Sequence, residues 1–210
     1  MTVNALFGAT SKTGRRVVAR ALAAGNEVRA LVRDPGRLAM TSPTLTDIRG
    51  DVLDSTAVDQ AVSGSDAVLS LFGQVKGSPP TLQAEGTQII VDAMRRHDVK
   101  RIVSLSGGGL SPPLDRPGPA DRAIRFVLKT LSGPVLADAE EHLRVLKAAG
   151  LEWTVVRGPR LSERPGTGTY RVGWVGVDAS TNISRDDLAD FILTQVEDRT
   201  FIGQMPFISA

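Results

Sequence analysis

Gly8-Ala9-Thr10-Ser11-Lys12-Thr13-Gly14 is the stretch of this 210-residue sequence that decides the fold. The apolar run from Val3 to Phe7 comes directly before it, and the segment from Arg15 to Ala24 carries apolar residues at helical spacing. The pattern predicts a strand, a glycine-rich turn and a helix, which is the context that a dinucleotide-binding loop requires. A turn of this kind is also typical of an ordinary strand-to-helix connection. Its place inside a complete strand-helix-strand unit favours the dinucleotide.

The residue types in this turn suit a bound pyrophosphate. Gly8 permits a tight turn, and the small residues after it let the backbone approach a phosphate. Gly14 allows the helix to pack close to the sheet. The free N–H groups and the positive dipole end of that helix would face the phosphates, with Lys12 or Thr13 adding a direct contact.

The rest of the chain alternates short β-rich runs with longer amphipathic segments. This alternation predicts an α/β fold, a Rossmann-like, doubly wound and mainly parallel sheet with helices on both faces. Further strands are predicted at 28–32, just before Gly50, and at 67–71, 101–105 and 153–157, with a strand pair or bent strand at 169–177. Further helices are predicted at 54–62, 81–96, about 121–131, 135–149 and 184–196. Since no repeat or linker is visible, we expect one domain over 1–210, with a small substrate-side region from about 151.

Composition excludes several classes of function. The formal net charge is only +2 and no dense Lys/Arg block occurs, so nucleic-acid binding is not expected. With no cysteine, the chain has neither disulfides nor thiolate metal sites, and no metal is expected. No signal peptide and no run that could span a bilayer is visible, so we expect a cytoplasmic protein without a membrane partner. The few aromatic residues fit a monomer or a modest homodimer.

The end of the second predicted strand bears on the choice of dinucleotide. Arg33 stands where an acidic residue would bind the ribose hydroxyls of NAD, and Arg37 follows four residues later. An arginine accommodates the 2′-phosphate of NADP, so NADP(H) is expected in preference to NAD(H). Asp34 leaves a ribose contact open, and Arg33 has the alternative of a solvated surface charge.

Further candidates follow the other strands, at the edge where ligands of doubly wound sheets gather. Asp51 would accept from the adenine amino group and Val52 would read the ring edge, or Asp51 caps a turn. Phe72 and Gly73 end the fourth strand beside the cofactor. Other strands end at Ser106 and before Pro159, which belong to the same rim.

Together these stretches resemble the atypical short-chain dehydrogenase/reductase group, in its NAD(P)-binding, NmrA-like branch. Within that branch the chain is most similar to the biliverdin-IXβ reductase/flavin reductase type. The resemblance covers nearly the whole chain, through GATSKTG at 8–14, LVRDPGRL at 31–38, GDVLDSTAVDQAVSGSDAV at 50–68, EGTQIIVDAM at 85–94, VKRIVSLSG at 99–107, EEHLRVLKAAGLEWTVVRGPRL at 140–161 and ISRDDLADFIL at 183–193.

The resemblance implies a role for each candidate. The pyrophosphate would be held by Gly8, Thr10, Ser11, Lys12, Thr13 and Gly14. The 2′-phosphate would be held by Arg33 and Arg37, and the adenine by Asp51 and Val52. The ribose-nicotinamide half would be lined by Phe72, Gly73, Leu105, Ser106, Gly107 and Pro159. His142 matches a histidine of the flavin-reductase pattern.

Two departures concern the substrate. The flavin-reductase members have a hydroxyl where this chain has Gly107, and a histidine where it has Arg160. The stretches at 107–109 and 111–119 also differ from the pattern, and the sequence leaves open whether the loop over 107–120 closes as a lid. The resemblance therefore implies cofactor binding more directly than substrate choice.

The Tyr-x-x-x-Lys pair of many related enzymes is absent, because the only tyrosine, Tyr170, is followed four residues later by Trp174. Hydride transfer to a flavin or quinone needs less, since the cofactor carries the chemistry and the protein orients it. Ser106 is a candidate donor to a substrate carbonyl or the nicotinamide amide, or it satisfies a turn. His142 is a candidate proton donor or ring-stacking wall, or an exposed helical residue. Arg160 would attract an anionic substrate, or is a surface charge.

The sequence thus predicts an NADPH-dependent reductase of a planar acceptor, such as a flavin, a biliverdin-like tetrapyrrole or a quinone. Two alternatives stay open. One is a non-catalytic sensor of NADP(H) or NAD(H) that regulates a partner. The other is an isomerase or dehydratase that retains NAD.

Overall fold

The computed structural model describes residues 1–107, 109–119, 121–123, 132–177 and 179–210. Its elements follow one another as β1 (Val3–Phe7), α1 (Lys12–Ala23), β2 (Glu27–Val32), a 3₁₀ turn (Pro35–Arg37), β3 (Leu45–Arg49), α2 (Ser55–Val62), β4 (Ala67–Ser70), α3 (Leu82–Arg96), β5 (Arg101–Gly107), α4 (Gly133–Ala148), β6 (Glu152–Gly158), β7 (Arg160–Ser162), β8 (Arg171–Gly173), β9 (Asn182–Ser184), α5 (Arg185–Thr194) and β10 (Phe207–Ser209).

Eight of these strands form one sheet in the order β3-β2-β1-β4-β5-β6-β10-β8. All neighbouring pairs are parallel except β10 with β8. The strands β7 and β9 pair separately. The order reverses between β1 and β4, which is the topological switch point where doubly wound sheets bind ligands. The predicted Rossmann-like, mainly parallel α/β fold is confirmed.

Helices cover both faces of the sheet. On one face, Val17 of α1 and Leu188 of α5 belong to the same buried apolar cluster. On the other face, α2, α3 and α4 contribute Val58, Ile90 and Leu146 to a second cluster. Burial on both faces explains why the central strands β1, β4 and β5 are mostly apolar instead of alternating between apolar and exposed polar residues.

Two element ends differ from the sequence prediction around the expected ligand edge. The helix α1 begins at Lys12, before the predicted start at Arg15, because Ser11 caps it: its Oγ accepts a hydrogen bond from the Gly14 N–H at 2.9 Å. The strand β5 continues to Gly107, beyond its predicted end at Leu105, because it pairs with β6 along its whole length.

The region after residue 151 departs most from the prediction. Of the range 169–177, only Arg171–Gly173 is a strand, and it pairs with β10, while Trp174 and Val177 form an isolated antiparallel bridge. The three-residue strands β7, β9 and β10 are too short to show alternation in sequence. Through β6, β8 and β10 this region contributes to the main sheet. Most of the helix predicted at about 121–131 lies outside the described residues.

Candidate cofactor-binding site

A cavity of about 430 Å³ opens at the carboxyl ends of β1, β2, β3 and β4, beside the switch point of the sheet. Nine of the sequence-predicted cofactor residues line it. These are Gly8, Thr10, Ser11, Arg33, Arg37, Asp51, Val52, Phe72 and Gly73. The remaining wall is the connection from β4 to α3, through Val75, Lys76, Gly77, Ser78 and Pro79.

The turn before α1 requires glycine at two positions. Gly8 has a φ of +89°, and a Cβ there would lie 2.6 Å from the Leu71 carbonyl carbon and oxygen. A Cβ on Gly14 would lie 2.2 Å from the Gly8 carbonyl oxygen. The turn is closed by a hydrogen bond from the Ser11 N–H to the Gly8 carbonyl at 3.0 Å. Since α1 starts here, the N–H groups of its first turn face the ligand edge.

Exposed cations stand at the rim of the cavity. The Arg33 side chain is 68% exposed, and its Nε lies 4.0 Å from Asp51 Oδ2. Arg37 follows in the 3₁₀ turn, where its carbonyl accepts a hydrogen bond from Arg15 Nη2 at 2.7 Å. Lys76, which the sequence analysis did not single out, lies on the opposite wall. These three cationic side chains fit a ligand that carries phosphate.

The two acidic candidates already hold turns of the backbone. Asp34 Oδ1 accepts a hydrogen bond from the Gly36 N–H at 3.2 Å and caps the 3₁₀ turn. Asp51 Oδ1 accepts from the Leu53 N–H at 3.0 Å. The turn-capping alternative for Asp51 is therefore present in the structure, and its predicted contact with adenine remains a prediction.

An apolar surface completes the cavity. A Cβ on Gly86 of α3 would lie 3.0 Å from Phe72 Cζ and 3.0 Å from Val52 Cγ2, so the missing side chain lets both residues settle against the helix. Both side chains also line the cavity. An apolar wall beside a cationic rim fits the adenine and phosphate groups of a dinucleotide.

Three phosphate-loop candidates do not line the cavity, and two of these bond to the segment from Glu163 to Arg185. Lys12 Nζ lies 3.0 Å from Glu163 Oε1. Thr13 is buried, and its Oγ1 accepts a hydrogen bond from Arg185 Nη1 at 3.0 Å. Arg185 Nε also donates to Glu163 Oε1 at 2.9 Å. The hydrogen bonds from Lys12 and Arg185 lower the pKa of Glu163. Gly14, the third, lies inside the first turn of α1.

The candidates of the nicotinamide and substrate half meet at a different rim. Ser106 pairs in register with Arg157, and Gly107 with Gly158, so the ends of β5 and β6 lie side by side. Ser106 is 8% exposed, and Leu105 is half-buried. At the same rim, Pro159 is half-buried and Arg160 is exposed. None of these residues lines the 430 Å³ cavity.

His142 is fully buried between α3, α4 and β5. Its Nδ1 lies 2.7 Å from Thr87 Oγ1, and its Nε2 lies 3.0 Å from Ser104 Oγ. Burial lowers the pKa of His142 to about 4. The alternative of an exposed helical histidine is therefore wrong, because the face of α4 that carries it packs on α3 and the sheet. A proton-donor role for this neutral imidazole stays a prediction.

A buried ion pair fixes the loop that follows β5, and sequence analysis missed it. Arg157 is fully buried, and its guanidinium donates to both carboxylate oxygens of Asp115 at 2.8 and 2.9 Å. It also donates to the Leu110 and Met205 carbonyls, each at 2.9 Å. Asp115 Oδ1 in turn accepts from the Val175 N–H at 3.1 Å. The only sequence signal was an arginine in an otherwise apolar strand.

Across the described ranges, no group of three or more His, Asp or Glu side chains is placed to hold a metal ion. In the same part of the chain, no helix has the length and apolar character that crossing a membrane requires.

Known proteins resemble this chain both in sequence and in fold. Residues 8–199 match the model of a family described as NAD(P)H-binding. An uncharacterised chloroplastic protein of Arabidopsis thaliana is 30% identical over 198 residues, which cover 87% of this chain and 68% of that protein.

Two solved structures are similar over almost their full length. A short-chain dehydrogenase/reductase of Veillonella parvula in complex with NADP has a TM-score of 0.78 at 17% identity, covering 100% of this chain and 94% of that chain. ChuY, an anaerobillin reductase of Escherichia coli O157:H7, has a TM-score of 0.77 at 18% identity, covering 99% of this chain and 97% of that chain. At these identities the likeness shows a shared fold.

Proposed function

The chain belongs to the NAD(P)H-binding family, and on that premise we propose that it is an NADPH-dependent reductase that transfers hydride to a planar acceptor. The proposed acceptors are a flavin, a biliverdin-like tetrapyrrole or a quinone. The observation that carries the proposal is the cavity at the switch point, with the glycine turn at one side and exposed cations at its rim. The finer resemblance to the NmrA-like, biliverdin-IXβ reductase/flavin reductase type is part of the same proposal.

The preference for NADP(H) is supported by the charge at the rim. Arg33 and Arg37 stand on the β2 side of the cavity, and Lys76 on the opposite wall. The neighbouring carboxylate of Asp34 caps its own turn. An NAD-binding site would instead present an acidic group to the ribose hydroxyls.

For the reaction itself, a bound nicotinamide would supply the hydride, and the protein would orient it against the acceptor. The rim formed by Leu105, Ser106, Gly107 and Pro159 is the proposed place of the nicotinamide and the acceptor. The Ser106 hydroxyl would donate a hydrogen bond to an acceptor carbonyl, and a proton from water would complete the reduction. Arg160, which is exposed at this rim, would attract an anionic acceptor.

The expectations about partners and location remain part of the proposal. We propose a small-molecule acceptor, a monomer or modest homodimer, and a cytoplasmic protein with neither a nucleic-acid nor a membrane partner.

The test is the loss of NADPH absorbance by the purified protein, with FMN, riboflavin, biliverdin and several quinones in parallel. We expect turnover with at least one acceptor. Gly8→Ala should weaken NADPH binding at least about tenfold, because its Cβ would collide with the Leu71 carbonyl. The matched control is Gly25→Ala, which has a φ of +77° but no atom within 4 Å of its Cβ.

A second candidate function is a dinucleotide-sensing regulatory protein of NmrA-like type. It is favoured by the complete burial of His142, which leaves the rim without that proton donor. A sensor would bind oxidised and reduced cofactor with similar affinity and show no turnover. Tight NADPH binding without oxidation by any acceptor would therefore replace the reductase proposal with this one.

A further inference from the structure

The carboxylate of Asp138, on α4, is buried at the N-terminal end of α3. Its residue is 4% exposed. The three hydrogen bonds described for it come from uncharged donors: the N–H groups of Gln83 and Ala84, each at 2.9 Å, and Gln74 Nε2 at 2.6 Å. A buried carboxylate is costly unless such donors satisfy it. The fold therefore has to keep all three donors in place around this carboxylate.

Two of the three donors belong to the first turn of α3. The helix begins after Thr81, whose side chain makes no capping hydrogen bond and instead donates to Glu85 Oε1 at 2.7 Å. Asp138 supplies the missing cap from another helix, and its negative charge lies at the positive end of the α3 dipole. One role of Asp138 is therefore to fix where α3 starts.

The third donor ties the same carboxylate to the wall of the cavity. Gln74 Nε2 donates to both Asp138 Oδ2 and the Pro80 carbonyl, and so links the two ends of the connection from β4 to α3. Between those ends, residues 75–79 all line the cavity. Their tip is a tight turn, in which the Ser78 N–H donates to the Val75 carbonyl at 2.9 Å. Asp138 thus anchors both ends of this wall.

We propose that Asp138 is a positioning residue for the dinucleotide, which acts by holding the wall at 75–79 against the cavity through Gln74. The inference rests on the proposed cofactor site and deepens it.

The sharpest test is Gln74→Glu. The change keeps the size of the side chain but places a second carboxylate against Asp138, while the two N–H bonds that cap α3 stay intact. We expect the wall to separate and the Kd for NADPH to rise about tenfold or more. The readout is a fluorescence titration of NADPH with the purified full chain, accompanied by urea unfolding.

The matched control is Gln88→Glu on α3, the helix whose first turn Asp138 caps. Gln88 Nε2 donates to Asp92 Oδ1 at 3.0 Å, so the substitution brings the same two groups together on an exposed surface away from the cavity. We expect its Kd for NADPH to stay within about twofold of the unsubstituted protein. Combining Gln74→Glu with Asp138→Asn should recover only part of the affinity, because an amide donor again faces a carboxylate but the Gln83 N–H loses the Oδ2 that accepts from it.

The outcomes separate the inference from the function on which it rests. If the unsubstituted chain binds NADPH and Gln74→Glu binds it as tightly as Gln88→Glu does, the wall is not positioned by Asp138. If the unsubstituted chain binds no dinucleotide, the proposed function fails and the inference fails with it. Should Gln74→Glu not fold, Gln74→Met removes only the donor, and an unchanged Kd would then overturn the inference.

Discussion

The proposed cofactor side and the proposed acceptor side of this molecule differ in where they hold charge: both have exposed arginines at the rim, but only the acceptor side also has a buried ion pair beneath its loop. We define the cofactor side as the 430 Å³ cavity with its lining residues. The acceptor side is the β5–β6 rim with residues 109–117, where we propose that the acceptor binds. On the cofactor side, Arg33 is largely exposed at the rim of an open cavity. On the acceptor side, Arg157 and Asp115 are buried against each other, and His142 is buried beneath the rim.

The difference indicates which side can bind a charged ligand, and which side cannot lose a charged residue, without disturbing the core. An exposed cation exchanges water for a ligand phosphate at little cost, so the cofactor side can bind without rearranging the core. A buried charge pair cannot lose one partner without leaving the other unsatisfied. The buried ion pair therefore holds the loop through Leu110 and Asp115 in place. We expect this loop to determine which acceptor shapes fit at the rim, and not to open as a lid.

The largest expected effect is on the acceptor side. Asp115→Ala leaves the Arg157 guanidinium buried without its counter-charge, so we expect the free energy of unfolding to fall by about 3–5 kcal/mol. Urea unfolding measures the loss. The Kd for NADPH, measured where the variant is folded, should stay near its original value. If NADPH binding weakens in proportion to stability, the two sides are not separable as we describe.

The next effect in size is the pH dependence that His142 confers. Burial lowers the folded-state pKa of His142 to about 4, below its ordinary value of about 6.5. The unfolded chain therefore binds a proton that the folded chain does not, and stability falls as the pH drops from about 6.5 to about 4. The loss should reach about 3 kcal/mol. Comparing urea unfolding at pH 7 and pH 4.5, we expect His142→Gln to remove most of this slope. An unchanged slope would assign it to other groups.

The smallest effect is on the cofactor side. Glu163 holds Lys12 and Arg185 beside the phosphate turn, so Glu163→Gln should release both cations and tighten NADPH binding about threefold at low salt. The gain should vanish in high salt. The control is Asp190→Asn, which also removes one negative charge. Asp190 pairs with Arg20, and not with Lys12 or Arg185. Equal gains from both variants would point to net charge alone and not to the Glu163 contacts.

The same division shows what the sequence could predict. The cofactor side depends largely on local patterns, since the positive φ of Gly8, the close approach of Gly14 to the Gly8 carbonyl and the place of Arg33 after β2 all arise within a few residues of the chain. The contact of Gly8 with Leu71 is instead distant in sequence. The order of helices and parallel strands was predictable from apolar periodicity, and the structure confirms it. The acceptor side depends on partners that are distant in sequence. Arg157 and Asp115 are 42 residues apart, and nothing in either neighbourhood indicates that they meet.

The burial of His142 was missed for a similar reason. Its neighbours on α4 include two glutamates, which suggests an exposed helix, but the periodicity of a helix turns residue 142 towards Thr87 and Ser104. The strand β10 was missed because three residues carry too little pattern. What the sequence did not predict is therefore tertiary pairing, and most of it lies on the acceptor side.

The position of β10 in the sheet has a consequence for how the chain forms during synthesis. The strands β1 to β4 end by residue 70, so the phosphate turn and the β1–β3 part of the cofactor cavity can assemble soon after those residues leave the ribosome, whereas the wall at 75–79 also needs Asp138. Among the residues that the structure describes, the edge strand β8 has β10 as its one neighbour in the main sheet, so it must wait for residues 207–209. Until then, the open edge of β6 is exposed to chaperones and to other nascent chains. Translation therefore completes the cofactor side before the acceptor side in every newly made molecule.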